Sequence, residues 1–498
     1  MGRQVGVLLN RNGDVAYVIV GDAKGIIIPE LSDYPLGRRA LRGLRLIHTH
    51  LRDEPLNQDD LTDLALLRLD IVAAIGVRES MPGRVFIAHL MPGGSERPVE
   101  IFPPQDFYQL NMDFSSFINA LEDEMQRQRT FSQDDKRERA ILVSVSTRPR
   151  HEQEDSIEEL DELALSSGIL VLDRVIQRPK EINPRYLMGE GKLKEVIINA
   201  MNKGATLLIF DQGLAPSQIK AIGEMTELKV IDRPQLILDI FAQRAHSRDG
   251  KVQVELAQLK YRLPRLTGKG TAMSRLMGGI GGRGPGEMKL EIDRRRVRDR
   301  ISLLERELKA LSEARRQRKH RRVEAGIPII SIIGYTNAGK STLLNALTES
   351  KTPVEDRMFA TLDTSSRRLR FPREREVIIT DTVGFIRDLP EDLVAAFKST
   401  LEELNDADLL LHLVDASNPR FEQHMASVEK ILRELGLDKK LQILVFNKID
   451  RLAVEEVENL KMRFNAIAIS AIDPSTLGPL LRAIEEHIWN SKTSLVTV

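Results

Sequence analysis

The sequence contains no cysteine. That absence removes disulfides, thiolate zinc sites and cysteine nucleophiles together, and fits a reducing compartment, so the cytoplasm is the expected location. Long apolar runs are missing too. None approaches the roughly 18 residues needed to cross a bilayer, and the opening MGRQVGVLLNRNGD has no signal-peptide pattern, so no integral membrane contact is expected. Aromatic residues are sparse at 4%, but 42% hydrophobic and 29% charged residues describe a globular chain rather than a disordered one. An excess of one charge is also lacking. With 73 basic and 73 acidic residues, net charge says nothing about nucleic acid. The distribution says more: arginine is concentrated between 294 and 322, in RRRVRDR and ARRQRKHRR, where a local basic stripe can meet phosphates.

At 498 residues the chain is too long for one core and should hold about three or four domains. Its patterning predicts an α/β multidomain protein in four parts. Residues 1–133 form an N-terminal α/β extension, with strand-like VGVLLN, VAYVIV and GIIIP, a helical pattern DLTDLALLRLDIVAAIG, and a further strand RVFIAHL. Residues 134–245 alternate apolar strands with helical stretches, which implies parallel βαβ units. In residues 246–325 two helical segments flank the glycine-rich TGKGTAMSRLMGGIGGRGPGEMK. Leu290, Val297, Ile301, Leu304, Leu308 and Leu311 recur there at sevens, fours and threes, the seam of a helix packed on one neighbour, so a helical hairpin should hold the loop at its tip. Residues 326–498 carry short buried strands (IISIIG, VIITD, LLLHLVD, LQILVFN) between helices, a P-loop type of domain with a mostly parallel sheet and helices on both faces.

GYTNAGKST, Gly334 to Thr342, matches G-x-x-x-x-G-K-S between an apolar strand and a helix, the context that motif requires. Backbone N–H groups of Gly334, Tyr335, Thr336, Asn337, Ala338 and Gly339 would wrap phosphates. Lys340 would neutralise the β and γ oxygens, Ser341 would bind Mg²⁺, and Thr342 opens the helix. DTVG follows a strand, so Asp381 can hold a magnesium-bound water and the Gly384 N–H can meet a γ-phosphate. In NKID, after ILVF, Asn447, Lys448 and Asp450 form a base site. The Asp450 carboxylate can accept from guanine N1 and N2; adenine lacks that donor pair, so GTP is favoured. Ser470 and Ala471 in IAISA would direct backbone N–H groups toward guanine O6. Thr361 in FATLD is the expected switch threonine and Mg²⁺ ligand, with Thr364 its competitor. Any one fragment could be an ordinary strand-end turn; four in order, each at a strand end, could not. The catalytic set is expected to be Lys340, Thr361, Gly384 and Asn337. Phe385 stands where many GTPases keep a glutamine. A phenyl ring cannot orient water, so intrinsic turnover should be slow. Asn337 resembles the asparagine that ligates K⁺ in a subset of GTPases; the other reading is a loop residue satisfying its own backbone.

SRDGKVQVELAQLKYRLPRLTG, GGIGGRGPGEMKLEIDRRRVRDRI and GYTNAGKSTLLNALT, with FATLDTSSRRL and DTVGFIRDLP, together resemble the HflX family of ribosome-associated GTPases, over about residues 140 to 490. The resemblance implies GTP and GDP as ligands, and an α/β domain and helical hairpin that bind the large ribosomal subunit. It also implies a glycine-rich loop near the peptidyl-transferase region and splitting of stalled ribosomes by the GTP-bound protein. It assigns ribosomal RNA contact to the loop from Gly278 to Gly286. There Gly278, Gly279, Gly281, Gly284 and Gly286 permit close backbone approach and Arg283 can meet phosphates. The sequence departs from the family pattern at Met288, where threonine is common. A monomer that uses no DNA is expected. A GTP-regulated assembly or RNA-binding scaffold stays open as an alternative, and so does a tRNA-modifying GTPase, against which the lack of cysteine counts.

The stretch LIHTHLRDEPLNQDDLTDL places His48 and His50 two apart with Asp60 ten residues on, a set that could ligate zinc. It resembles the H-x-H plus S-x-x-D pattern of JAMM and RadC-type domains, which would imply a metallopeptidase fused to the GTPase. Asp60 falls one residue early, Asn57 replaces the serine, and no catalytic glutamate can be identified. A structural remnant without metal is therefore favoured over a zinc site.

Overall fold

The structure, a computed structural model, describes residues 2–490 apart from 30, 32, 36–38, 80, 93–98, 132–136, 227, 267–284, 325–326, 349–357, 360–364, 372–374, 383 and 388–401. The chain divides into two compact units, Met1–Asp232 and Arg233–Val498. No helix among the described residues is long and apolar enough to cross a membrane.

The first unit holds two sheets. One contains β1 (Val5–Asn10), β2 (Val15–Val20), β3 (Leu44–His50), β4 (Val72–Arg78), β5 (Met81–Leu90) and β6 (Val99–Ile101), in the order β2-β1-β3-β4-β5-β6, with β7 (Gln105–Asp106) also on β5. Only β3 and β4 pair in parallel, and the connection between them carries α1 (Gln58–Leu67). A further helix, α2 (Phe114–Phe131), adds Ile118, Leu121 and Met125 to this core. Two expectations are corrected. DLTDLALLRLDIVAAIG is not one helix: α1 stops at Leu67, Arg68 caps it in the left-handed region at φ 52°, and the second half becomes β4. The turn is fixed by Asp70, fully buried, which takes Arg11 at 2.7 Å and the Gly43 N–H at 2.9 Å. GIIIP joins no strand ladder; Ile26 and Ile28 pack on the core while Ile27 is exposed.

The other sheet of this unit is parallel throughout. It runs β11 (Lys229–Asp232), β10 (Leu207–Phe210), β8 (Arg139–Val145), β9 (Leu170–Gln177), connected through α3 (Arg150–Ser166), α4 (Glu190–Asn202) and α5 (Pro216–Gly223). Near-continuous apolar runs such as LLIF suit a sheet covered on both faces. Helix α1 packs on α4: Leu66 reaches the core around Val143, Leu193 and Ile197, and Ile198 reaches back into the first sheet's core.

In the second unit, α6 (Arg233–Arg244), α7 (Arg248–Arg262) and the 40-residue α8 (Pro285–Glu324) precede a six-stranded sheet. Helices α7 and α8 pair along the part of the expected seam that runs from Ile301 to Leu311; the side chain of Leu290 lies outside the described residues. Val252, Leu256 and Leu304 are buried, with Leu259, Ile301, Leu308 and Leu311 against them, and Arg300–Glu255 and Arg248–Glu307 pairs flank the stripe. The sheet contains β12 (Ile329–Gly334), β13 (Ser365–Phe371), β14 (Arg375–Asp381), β15 (Leu409–Asp415), β16 (Gln442–Asn447) and β17 (Ile467–Ala468), in the order β13-β14-β12-β15-β16-β17, parallel except for β13. Its helices are α9 (Lys340–Thr348), α10 (Phe421–Glu434), α11 (Val454–Phe464) and α12 (Gly478–Glu485). Phe241 of α6 meets Phe359 edge to face at 4.6 Å, and Trp489 meets Phe371 in the same way at 5.3 Å.

The hairpin seam is testable. Leu304 is almost fully buried, so Leu304→Ala should cost about 2–5 kcal/mol. Lys260, whose ion pair with Glu305 is solvent-exposed, should tolerate alanine with little change. Denaturant midpoints followed by circular dichroism should separate the two variants.

Candidate nucleotide-binding site

The ends of four parallel strands and the start of α9 build one concave site. Strand β12 delivers Gly334, where a Cβ would lie 2.2 Å from the Leu413 carbonyl oxygen of β15. The loop then turns back through Gly339 at φ 92°, where a Cβ would lie 2.3 Å from Asn447 Nδ2. Only glycine satisfies both the conformation and the space there. Asn337 also takes left-handed backbone, φ 61°, with an exposed side chain; asparagine is one of the few residues that does so at low cost.

Lys340 is buried at the loop's centre and donates from Nζ to the Tyr335 carbonyl oxygen at 2.8 Å. Burial depresses its ammonium to about 8, with the Asp381 carboxylate opposing that shift. Ser341 Oγ donates to Asp381 Oδ2 at 2.6 Å, which joins α9 to the end of β14. Thr336 Oγ1 is buried without a hydrogen-bond partner. A hydroxyl and a carboxylate oxygen brought together beside a lysine form a hard-oxygen donor set that fits Mg²⁺.

The segment after β14 is strapped to the loop through its backbone. The Phe385 N–H donates to the Gly334 carbonyl at 3.1 Å, and the Phe385 carbonyl accepts from the Thr336 N–H at 2.8 Å. Its ring is buried at 3% exposure. At Gly384 a Cβ would lie 2.8 Å from Thr336 Cγ2 and 2.9 Å from Lys340 Nζ, so this position too must lack a side chain. Tyr335 stacks on His424 of α10 with ring centroids 3.8 Å apart, and its hydroxyl accepts from the Arg387 N–H at 2.7 Å.

On the base side, Asn447 Nδ2 donates to the Ala338 carbonyl at 2.8 Å and Asn447 Oδ1 accepts from the Ala471 N–H at 2.9 Å. Lys448, at φ 63°, pairs with Asp415 at 2.7 Å. Asp450 Oδ1 accepts from Ser470 Oγ at 2.6 Å. The N–H groups of Ser470 and Ala471, expected to meet guanine O6, donate here to Thr476 Oγ1 and Asn447 Oδ1 respectively, and the Ser470 hydroxyl holds Asp450.

The structure therefore gathers Gly334 to Thr342, Asp381, Gly384, Asn447, Lys448, Asp450, Ser470 and Ala471 at one sheet edge. Thr361 and Thr364 lie outside the described residues, as do Gly278, Gly279, Gly281, Arg283 and Gly284; Gly286 stands in the first turn of α8. His48, His50 and Asp60 converge in the first unit. Sequence reading passed over Asp415, although it closes LLLHLVD just as Asp381 closes VIITD, and it had no signal for the Tyr335–His424 stack.

Family models match three consecutive regions. Residues 154–242 match the GTP-binding GTPase N-terminal region, 244–322 the GTP-binding GTPase middle region, and 329–448 the 50S ribosome-binding GTPase. The GTPase HflX of Caldanaerobacter subterraneus subsp. tengcongensis is 50% identical over 353 residues, 71% of this chain and 81% of its own. The chain belongs to the HflX GTPase family. The Escherichia coli HflX is 40% identical over 363 residues, 72% of this chain and 84% of its own. A crystal structure of a GTP-binding protein from Sulfolobus solfataricus in complex with GDP is 27% identical and covers 72% of this chain and 99% of that one, with a TM-score of 0.37. The matched regions begin at residue 154, so the whole of the first sheet, with α1 and α2, precedes them.

Gly339→Ala should displace Asn447 and weaken binding of a fluorescent GTP analogue at least about tenfold, a loss of one strained contact or more. Gly436, at φ 69° with nothing within 4 Å of its Cβ position, is the control: its alanine variant should lose stability but keep affinity.

Proposed function

We propose that this HflX-family chain is a GTP-binding and GTP-hydrolysing factor of the large ribosomal subunit that splits or rescues stalled ribosomes. Asp450 carries the nucleotide part of this reading. Its carboxylate, held by Ser470 beside the Asn447 bridge, can accept the two donors on a guanine edge. Gly334 to Thr342 would cradle the phosphates, Lys340 would balance their charge, and Gly384 would bring its N–H to the γ-phosphate. Ser341, Thr361 and, through water, Asp381 would hold Mg²⁺, which when bound would neutralise charge on the phosphate oxygens. Asn337 is read as a K⁺ ligand that acts with them.

Slow basal turnover and stimulation by ribosomes follow from Phe385. Its ring is packed away and its backbone is spent on the loop, so this position offers no group to orient water, and a partner must complete the site. The description of the model matched over 329–448, 50S ribosome-binding GTPase, supports the large subunit and its RNA as that partner. The four-part division into 1–133, 134–245, 246–325 and 326–498 belongs to the same reading: the hairpin carries Gly278 to Gly286 and the basic stripe toward RNA, and the last part is the switch. A monomer in the cytoplasm is the corresponding working state. In the other reading, an assembly or RNA-binding scaffold, the nucleotide would act only as a structural latch.

Asp450→Asn should weaken GTP binding and improve xanthine-nucleotide binding, because an amide can donate to the carbonyl that replaces the guanine amine. Unchanged preference in competition binding would remove Asp450 from the base site. Purified large subunits should raise phosphate release by at least about tenfold, with faster turnover in K⁺ than in Na⁺. Replacing Gly281 to Gly286 by a Ser-Gly linker should spare basal hydrolysis and abolish splitting. Turnover that ignores the subunit would leave the scaffold reading.

A further inference from the structure

The GTPase reading leaves one buried cluster unexplained. His48 and His50 project from alternate positions of β3 to the same face, and Asp60 joins them from the first turn of α1. All three are buried, at 1%, 2% and 8% exposure. His48 Nε2 lies 3.4 Å from Asp60 Oδ1 and His50 Nε2 lies 3.2 Å from Asp60 Oδ2, with one donor atom from each residue inside 4.8 Å. Neither contact is a formed hydrogen bond: both ring nitrogens of His48 and Nε2 of His50 are buried without a partner. Native interiors seldom leave such groups uncompensated.

The spacing admits a different interaction. Two ligands each about 2.0–2.1 Å from a tetrahedral zinc ion stand about 3.3 Å apart; each histidine Nε2 stands at close to that distance from one Asp60 oxygen, and one donor atom from each of the three residues lies within 4.8 Å of the other two. The ligand atoms are also oriented from behind. His50 Nδ1 lies 3.1 Å from the Glu54 carbonyl oxygen, so Nδ1 carries a proton, and Nε2 is the ring atom that would give its lone pair to a metal beside Asp60. Asp60 is held in a reciprocal cap: the Asn57 N–H donates to Asp60 Oδ2 at 2.8 Å, and the Asn57 side chain accepts from the N–H groups of Asp59 and Asp60.

We infer that His48 Nε2, His50 Nε2 and the Asp60 carboxylate bind one Zn²⁺ ion, which ties α1 to β3. Imidazole and carboxylate donors suit that cation. The far side of α1 packs on α4, so the ion also steadies the contact between the two sheets of the first unit. The inference is independent of the GTPase reading.

The test uses the full chain, stripped with chelator, with its nucleotide site filled by GDP and Mg²⁺. Expected are one zinc retained per chain after desalting, a thermal transition raised by zinc, and visible absorption of tetrahedral Co²⁺ after cobalt loading. Asp60→Asn and His50→Gln should weaken zinc retention at least about a hundredfold and leave binding of a fluorescent GDP analogue unchanged. A wild-type chain that retains no more zinc than Asp60→Asn overturns the inference. Should the variants not fold, the cobalt spectrum of the wild-type chain decides: tetrahedral bands support the site, and octahedral or absent bands overturn it.

Discussion

The nucleotide site depends on one amide. Asn447, at the end of β16, donates to the carbonyl of Ala338 in the phosphate loop and accepts from the N–H of Ala471 after β17, so three separate strand-end segments share a single side chain. Each bond is worth only about 0.5–1.5 kcal/mol net, but breaking them leaves a buried carbonyl and N–H unsatisfied, at about 1–3 kcal/mol apiece. Gly339 must stay bare because that amide occupies the space its Cβ would need. Lys448 and Asp450, one and three residues on, inherit their positions from the same anchor, through Asp415 and Ser470.

Much of this was legible because the chemistry is written at strand ends. GYTNAGKST, DTVG and NKID each follow an apolar run, and parallel strands that start together must finish together, which brings the three to one edge. The seam of α8 was legible for a similar reason: Ile301, Leu304, Leu308 and Leu311 have one period and one use. The misreadings arose where a residue type serves two structures. Leu and Ala in DLTDLALLRLDIVAAIG suit a helix face and a buried strand alike, and the break falls at Arg68, an unusual residue for a left-handed cap. The hold of the Ser470 hydroxyl on Asp450 was not legible either, because sequence does not tell whether a serine works through its hydroxyl or its N–H.

The same limit applies to Asn57. Measured against a motif with serine, it counts as a defect; in the fold it is the N-cap that sets Asp60 in place. Helix α1 is short, but it is pinned at both ends, by that cap and by the Arg68 turn over Asp70, and it packs on α4 between them. The first unit thus joins its two sheets through a helix whose register is set by polar contacts rather than by a wide apolar face.

The lone tryptophan has a spectroscopic consequence. Trp489 lies against Phe371 in the second unit, and the sequence has no other. Its emission therefore follows melting of the sheet that carries the phosphate loop and is silent on the first unit, while circular dichroism registers both. A denaturation curve followed by tryptophan light reports the second unit and one followed by ellipticity reports both, so their divergence reads the stability of the first unit without any label.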